Sequence, residues 1–189
     1  MNQFRSIKTM RDNTGFTLIE LMVVIAVIAT LTAISVPNFL AYLPNARLKS
    51  AARELYSNMQ LAKMGAIKQN TDWAIVFDKT DDKYQVCSGK GGDGLWSGTD
   101  NAVEKTVVLS DYGSGVAYGH GDATSAIDSN FDDEITYAST PNVFIVNSQG
   151  TSNAGYVYLQ NISNKTFGVG TLSSGVIMLR KWTGSAWEE

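Results

Sequence analysis

The chain has 189 residues, 44% of them apolar, and a formal charge of −3. That length holds one modest globular domain of about 100–150 residues beside an anchor, and a single cysteine, Cys87, excludes an internal disulfide. The charge is uneven: residues 1–70 carry eight Lys or Arg against three acids, and residues 71–189 carry seven against fifteen, a balance of −8. Such an acidic C-terminal part argues against broad nucleic-acid binding, which draws on Lys and Arg neutralising phosphates.

Taken in chain order, the first fifteen residues, MNQFRSIKTMRDNTG, carry Arg5, Lys8 and Arg11 against Asp12 and contain no apolar core. Residues 16–36, FTLIELMVVIAVIATLTAISV, form a run of 21 with no charge but Glu20. At about 1.5 Å per residue a helix of that length matches the roughly 30 Å hydrocarbon core of a bilayer, so the run predicts a single membrane span. A secretory signal keeps its apolar segment before the cut and loses it. Here the basic stretch comes first, and the apolar segment is placed to remain as an anchor in membrane lipid. The positive-inside rule keeps the basic end cytoplasmic and puts the bulk of the chain on the far side of the membrane. Glu20 is the anomaly, because a carboxylate in a spanning helix costs about 2.5–3.5 kcal/mol on insertion scales. It is therefore a functional residue in need of a positive partner.

Gly15-Phe16, the run Thr17-Leu18-Ile19-Glu20-Leu21 and then Pro37 resemble the class III signal of the type IV pilin and pseudopilin superfamily. The resemblance implies a cut between Gly15 and Phe16 by a prepilin peptidase and N-methylation of the new Phe16 amine. It also implies that Glu20 pairs with the N-terminal amine of a neighbouring subunit as a filament assembles on an inner-membrane platform. The physical reading agrees, since an ion pair between chains relieves two charges otherwise buried unpaired. The implied organisation is a cleaved leader (1–15), a transmembrane helix (16–36), an amphipathic helix continuing into the head (37–70) and a β-rich periplasmic head (71–189).

Past Val36 the helical pattern continues through Pro37 and Pro44. Each withdraws a donor and crowds the preceding turn, so kinks or short unwound stretches are expected there. From Arg47, the residues Leu48, Ala51, Ala52, Leu55, Met59, Ala62, Ala66 and Ile67 recur at spacings of three and four and mark one apolar face. Arg47, Lys49, Arg53, Glu54, Asn58 and Lys63 fall largely on the other side, and Gly65 announces the approach to the helix end. After Thr71 the period changes to two. Strands are predicted at 73–77, 83–87, 106–110, 116–118, 135–138, 143–147, 156–160, 166–169 and 176–182, with turns at 78–83 and 148–151 and loops at 89–101 and 119–133. The predicted fold class is α+β, a long N-terminal helix packed on an antiparallel β-sheet head. Cys87 alternates with its neighbours as a small buried apolar residue.

Three passages narrow the resemblance: WAIVFD, KTVVLSDYGSGVAY and VFIVNSQGTSNAGYVYLQNISNKTFGVGTLSSGVIML. Together they are similar to the head of the GspH/FimT group of minor pseudopilins and minor pilins, with a final strand opened by Gly175. The implied function is that of a structural subunit of a type II secretion pseudopilus, which supports export of folded proteins, in contact with other pseudopilins or pilins. A minor type IV pilin of the FimT kind, in pilus assembly, twitching or DNA uptake, is the alternative within the class. A single-pass periplasmic sensor or enzyme is the alternative outside it.

The remaining chemistry is sparse, and no enzyme activity, cofactor or metal is expected. His120, the only histidine, lies in a glycine-rich loop with no nucleophile or metal-ligand spacing around it. The acidic run Asp128, Asp132, Asp133 and Glu134 has oxygens suited to calcium but not the loop spacing of a calcium site, so it reads as a solvated face. Arg180 and Lys181, flanked by Trp182 and Trp187, are the one place where a DNA contact is conceivable; with two glutamates closing the tail, no nucleic acid is expected there.

Overall fold

A computed structural model describes residues 15–96, 99–128, 133–138 and 142–189. One long helix, α1 (Leu18–Gln69), is followed by nine short strands. The chain divides into two compact units, Met1–Ala41 and Tyr42–Glu189.

In the first unit the helix is apolar all round and exposed along its length, with Ile34 67% accessible. It is long and apolar enough to cross a membrane. Its few polar side chains turn back on their own backbone: Thr30 Oγ1 donates to the Val27 carbonyl at 2.8 Å and Thr32 Oγ1 to that of Ile28 at 2.7 Å. Asn38 Nδ2 reaches the Ile34 carbonyl at 3.2 Å. Such local bonds leave the donors satisfied where no water is available. The helix is unbroken through Pro37 and Pro44, so the short unwound stretches expected at the prolines do not form.

In the second unit α1 buries Leu48, Ala51, Ala52, Leu55, Met59, Ala62 and Ala66, as its spacing requires. Two positions depart from the predicted faces. Ile67 is exposed, whereas Asn58 is buried at 4% accessibility. Asn58 donates to the Tyr84 hydroxyl at 2.9 Å and accepts from Lys105 Nζ at 3.3 Å; a polar residue is stable inside because its partners are inside with it. The helix ends in a left-handed residue, Asn70, with φ of 53°. The Thr71 amide then returns to the Ala66 carbonyl at 3.2 Å, which closes a Schellman-type cap.

Two antiparallel sheets follow rather than one. The first has the order β3-β2-β1-β5 and the second β4-β6-β7-β8-β9. Strands β1 (Trp73–Asp78) and β2 (Lys83–Gly89) form the expected hairpin, with Asp78 Oδ1 accepting from the Thr80 and Asp81 amides across the turn. β3 (Ala102–Val108) begins earlier than predicted and stops where Leu109–Tyr112 wind into a 3-10 turn. β4 is only Ala117–Tyr118, and the predicted strand at 135–138 is a single bridge from Ile135 to Val157. Both pieces lie along β6 (Gly155–Gln160), so each is cut short by sharing one partner strand. β5 (Val143–Val146), β7 (Thr166–Thr171) and β8 (Ile177–Trp182) are close to their predicted bounds, and β9 (Trp187–Glu188) was not foreseen.

The core lies between α1 and the sheets. Ile75, Phe77, Tyr84, Val86, Phe144, Val157, Leu159 and Val169 meet the buried face of the helix. Alternate residues of the first sheet face the other way, where Trp96 covers Ala74, Cys87 and Val143. Cys87 is fully enclosed there, and burial pushes its thiol up to about 11, in keeping with a packing residue. Gly175, with φ of 78°, opens β8 by passing so close to Gly150 that a Cβ would lie 1.9 Å from its carbonyl oxygen. Lys63 Nζ donates to the Gly175 carbonyl at 2.8 Å, tying that turn to the helix.

Candidate assembly site

Residues 17–20 build a reciprocal helix cap at the start of α1. Thr17 precedes the first helical residue, and its Oγ1 accepts from the Glu20 amide at 3.3 Å. Glu20 Oε2 in turn accepts from the Thr17 amide and from Thr17 Oγ1, each at 3.4 Å. Thr-x-x-Glu ahead of an apolar run is a capping box, a local signal that gives Glu20 a role at the helix start beside that of a charge in an apolar span. A carboxylate at this position also complements the partial positive charge of the helix N-terminus. Phe16 stands just outside the cap, 86% accessible, and Gly15 has open space around it. Gly15, Phe16 and Glu20 are thus all exposed at one helix start, with the Glu20 carboxylate held by long local bonds to Thr17.

The other candidates fall into separate places. Asp133 and Glu134 both pair with Lys79, the latter at 2.6 Å, while Asp128 accepts from Thr136 Oγ1 at 3.3 Å; Asp132 lies outside the described residues. Among the described residues no three His, Cys, Asp or Glu converge on a metal position, and the two adjacent carboxylates share one lysine. The His120 carbonyl accepts from Thr166 Oγ1 at 2.7 Å and from the Ala123 amide at 2.9 Å, which fixes its loop.

Arg180 and Lys181 do not form one basic patch. They are neighbours in β8, so their side chains leave opposite faces of the sheet. Trp182 is buried on the face away from the helix, not on the inward face, and packs on Trp187 with ring centroids 5.4 Å apart. Trp187 also contacts Tyr158 at 5.5 Å and donates from Nε1 to the Ser125 carbonyl at 2.7 Å. The tail tryptophans therefore lock a hairpin onto the second sheet.

One further cluster was not foreseen. Glu54 on α1 pairs with Lys105 of β3 at 2.9 Å and accepts from the Tyr112 hydroxyl. The Tyr112 hydrogen bond, then that from Lys105, hold the Glu54 carboxyl below its ordinary range, and the cluster clasps the helix to the edge of the first sheet.

Residues 51–175, two thirds of the chain, match the family described as type II transport protein GspH. The chain belongs to that family. A prokaryotic N-terminal methylation motif matches residues 10–36, the span that contains Gly15, Phe16 and Glu20. Among curated proteins none matches the sequence. Solved structures similar to this GspH-family chain include the minor pseudopilin EpsH of the Vibrio cholerae type II secretion system. One structure of EpsH is 13% identical with a TM-score of 0.48, covering 70% of this chain and 95% of that one. Another is 16% identical with a TM-score of 0.48, over 76% and 96%. The type IV minor pilin FimU of Pseudomonas aeruginosa is 15% identical, with a TM-score of 0.47 over 75% of this chain and 97% of that one. As a GspH-family chain with an apolar N-terminal helix and the methylation motif, the protein is membrane-anchored and pilin-like.

Proposed function

We propose that this chain is a non-catalytic subunit that enters a type II secretion pseudopilus through Phe16 and Glu20 and presents its head to other pseudopilins. The observation that carries the reading is the pairing, in one chain, of the methylation motif at residues 10–36 with a GspH head at 51–175. A prepilin peptidase removes residues 1–15 on the cytoplasmic side and the Phe16 amine is methylated, with the head in the periplasm. On cleavage Phe16 gains a charged amine, and Glu20 exchanges its long bonds to Thr17 for an ion pair with that amine on an adjacent subunit. A short intermolecular pair in low dielectric outweighs two local bonds at 3.4 Å. The apolar helix then leaves lipid for a bundle of like helices, driven by packing, with Pro37 and Pro44 as points where the ladder of backbone bonds yields most easily.

Deleting the gene and restoring it tests the reading, with secreted proteins and surface pili measured in the same cultures. Secretion should fall with pili intact and return only with the wild-type chain. Loss of pili with secretion intact would make the chain a minor type IV pilin instead.

A further inference from the structure

A cleft of about 470 Å³ runs along the second unit, within the roughly 300–1,000 Å³ of ordinary ligand sites. One wall is a stripe of α1, Ala46, Lys49 and Arg53, and the other is Phe167, Leu179 and Lys181 of β7 and β8. The floor is apolar and the rim is cationic, for Lys165 from the β6–β7 turn completes a ring of four positive side chains.

These cations contrast with the three that acids hold. Lys79, Lys83 and Lys105 are each held by acids. Among the described residues, Lys49, Arg53 and Lys181 have no ion pair, and Lys165 reaches only Asp122, at 4.0 Å. Unneutralised cations gathered in one cleft, in a unit where twelve Lys or Arg face sixteen acids, create a local positive field that attracts an anionic partner.

We propose that this cleft receives an acidic segment with apolar side chains from another filament subunit. The proposal rests on the filament reading and names a contact surface for it. A peptide supplies both carboxylates for the rim and apolar groups for Phe167 and Leu179. A nucleic acid would bring a dense phosphate array against the acidic remainder of the head, and Glu189, which also lines the cleft, would repel it. Glu189 repels the carboxylates of an acidic peptide as well, but these are sparser than phosphates, and it can accept from the peptide's backbone amides.

The full chain in neutral detergent is titrated with a labelled short peptide of alternating aspartate and leucine and with its asparagine twin. A single-stranded oligodeoxynucleotide and phosphatidylglycerol vesicles are the competing probes. The aspartate peptide should bind, weaken with salt, and lose about fivefold or more in affinity with Arg53→Gln and Lys181→Gln together, while Glu189→Gln strengthens it. Lys68→Gln, remote from the cleft, should change nothing, and equal melting temperatures exclude unfolding as the cause. Equal binding of the asparagine twin, indifference to the double substitution, or tighter binding of the oligonucleotide or vesicles would overturn the proposal. The titration needs no filament, so its failure leaves the filament reading standing; a Glu20→Ala chain that still supports secretion overturns that reading whatever the cleft binds.

Discussion

At the scale of single residues, the stability of the head depends on polar groups that the helical pattern assigns to solvent. Asn58 is the sharpest case. Its amide satisfies the buried Tyr84 hydroxyl and its carbonyl accepts from Lys105. Asn58→Ala should cost about 1–3 kcal/mol, the penalty for leaving such a group unpaired, measured by urea unfolding of the detergent-solubilised chain. Glu54 gives a pH dependence. Its folded-state carboxyl titrates below its unfolded value because Tyr112 and Lys105 stabilise the charged form. The stability it contributes is therefore present above the unfolded carboxylate range near pH 4.5 and is lost as pH falls through the lower folded value. Unfolding midpoints followed from pH 6 to pH 3 should fall less steeply in Glu54→Gln than in wild type.

At the scale of elements, periodicity shows the helix and most strands plainly, because each buries one face against something else in the same chain. It misleads where a tertiary neighbour decides. Ile67 has the right spacing but stays half exposed beside the Gly150 turn, whereas Asn58 has a tyrosine opposite it. The segment at 135–138 is rich in strand formers yet shares β6 with β4. β9 is two residues whose pairing exists only because Trp187 packs on Trp182 and Tyr158, and no local signal marks that. The capping box at Thr17 and Glu20 was fully local and readable; the cationic cleft was not, because its lysines and arginine come from three distant stretches. The loop after β2 makes its own prediction. Trp96 closes the pocket over Cys87, so the native thiol should resist alkylation. In Trp96→Ala its labelling rate should rise on the order of tenfold for each 1.4 kcal/mol removed from the local opening cost.

At the scale of the whole molecule, the chain joins two different solutions to burial. The head satisfies its apolar residues internally, while residues 16–36 are exposed among the described residues, an apolar surface suited to lipid or to other pilin-like subunits. That asymmetry suits a pilin-like filament subunit, and we propose that the Glu20 carboxylate at the helix start guides its entry. The most direct measurement is the distribution of the chain between the membrane and sedimented filaments, for wild type and Glu20→Ala, in cells with the native wild-type copy removed. Wild type should appear in the filament fraction as a chain beginning at a methylated Phe16, and Glu20→Ala should be cleaved normally yet remain in the membrane. Equal entry of Glu20→Ala into filaments would contradict the account.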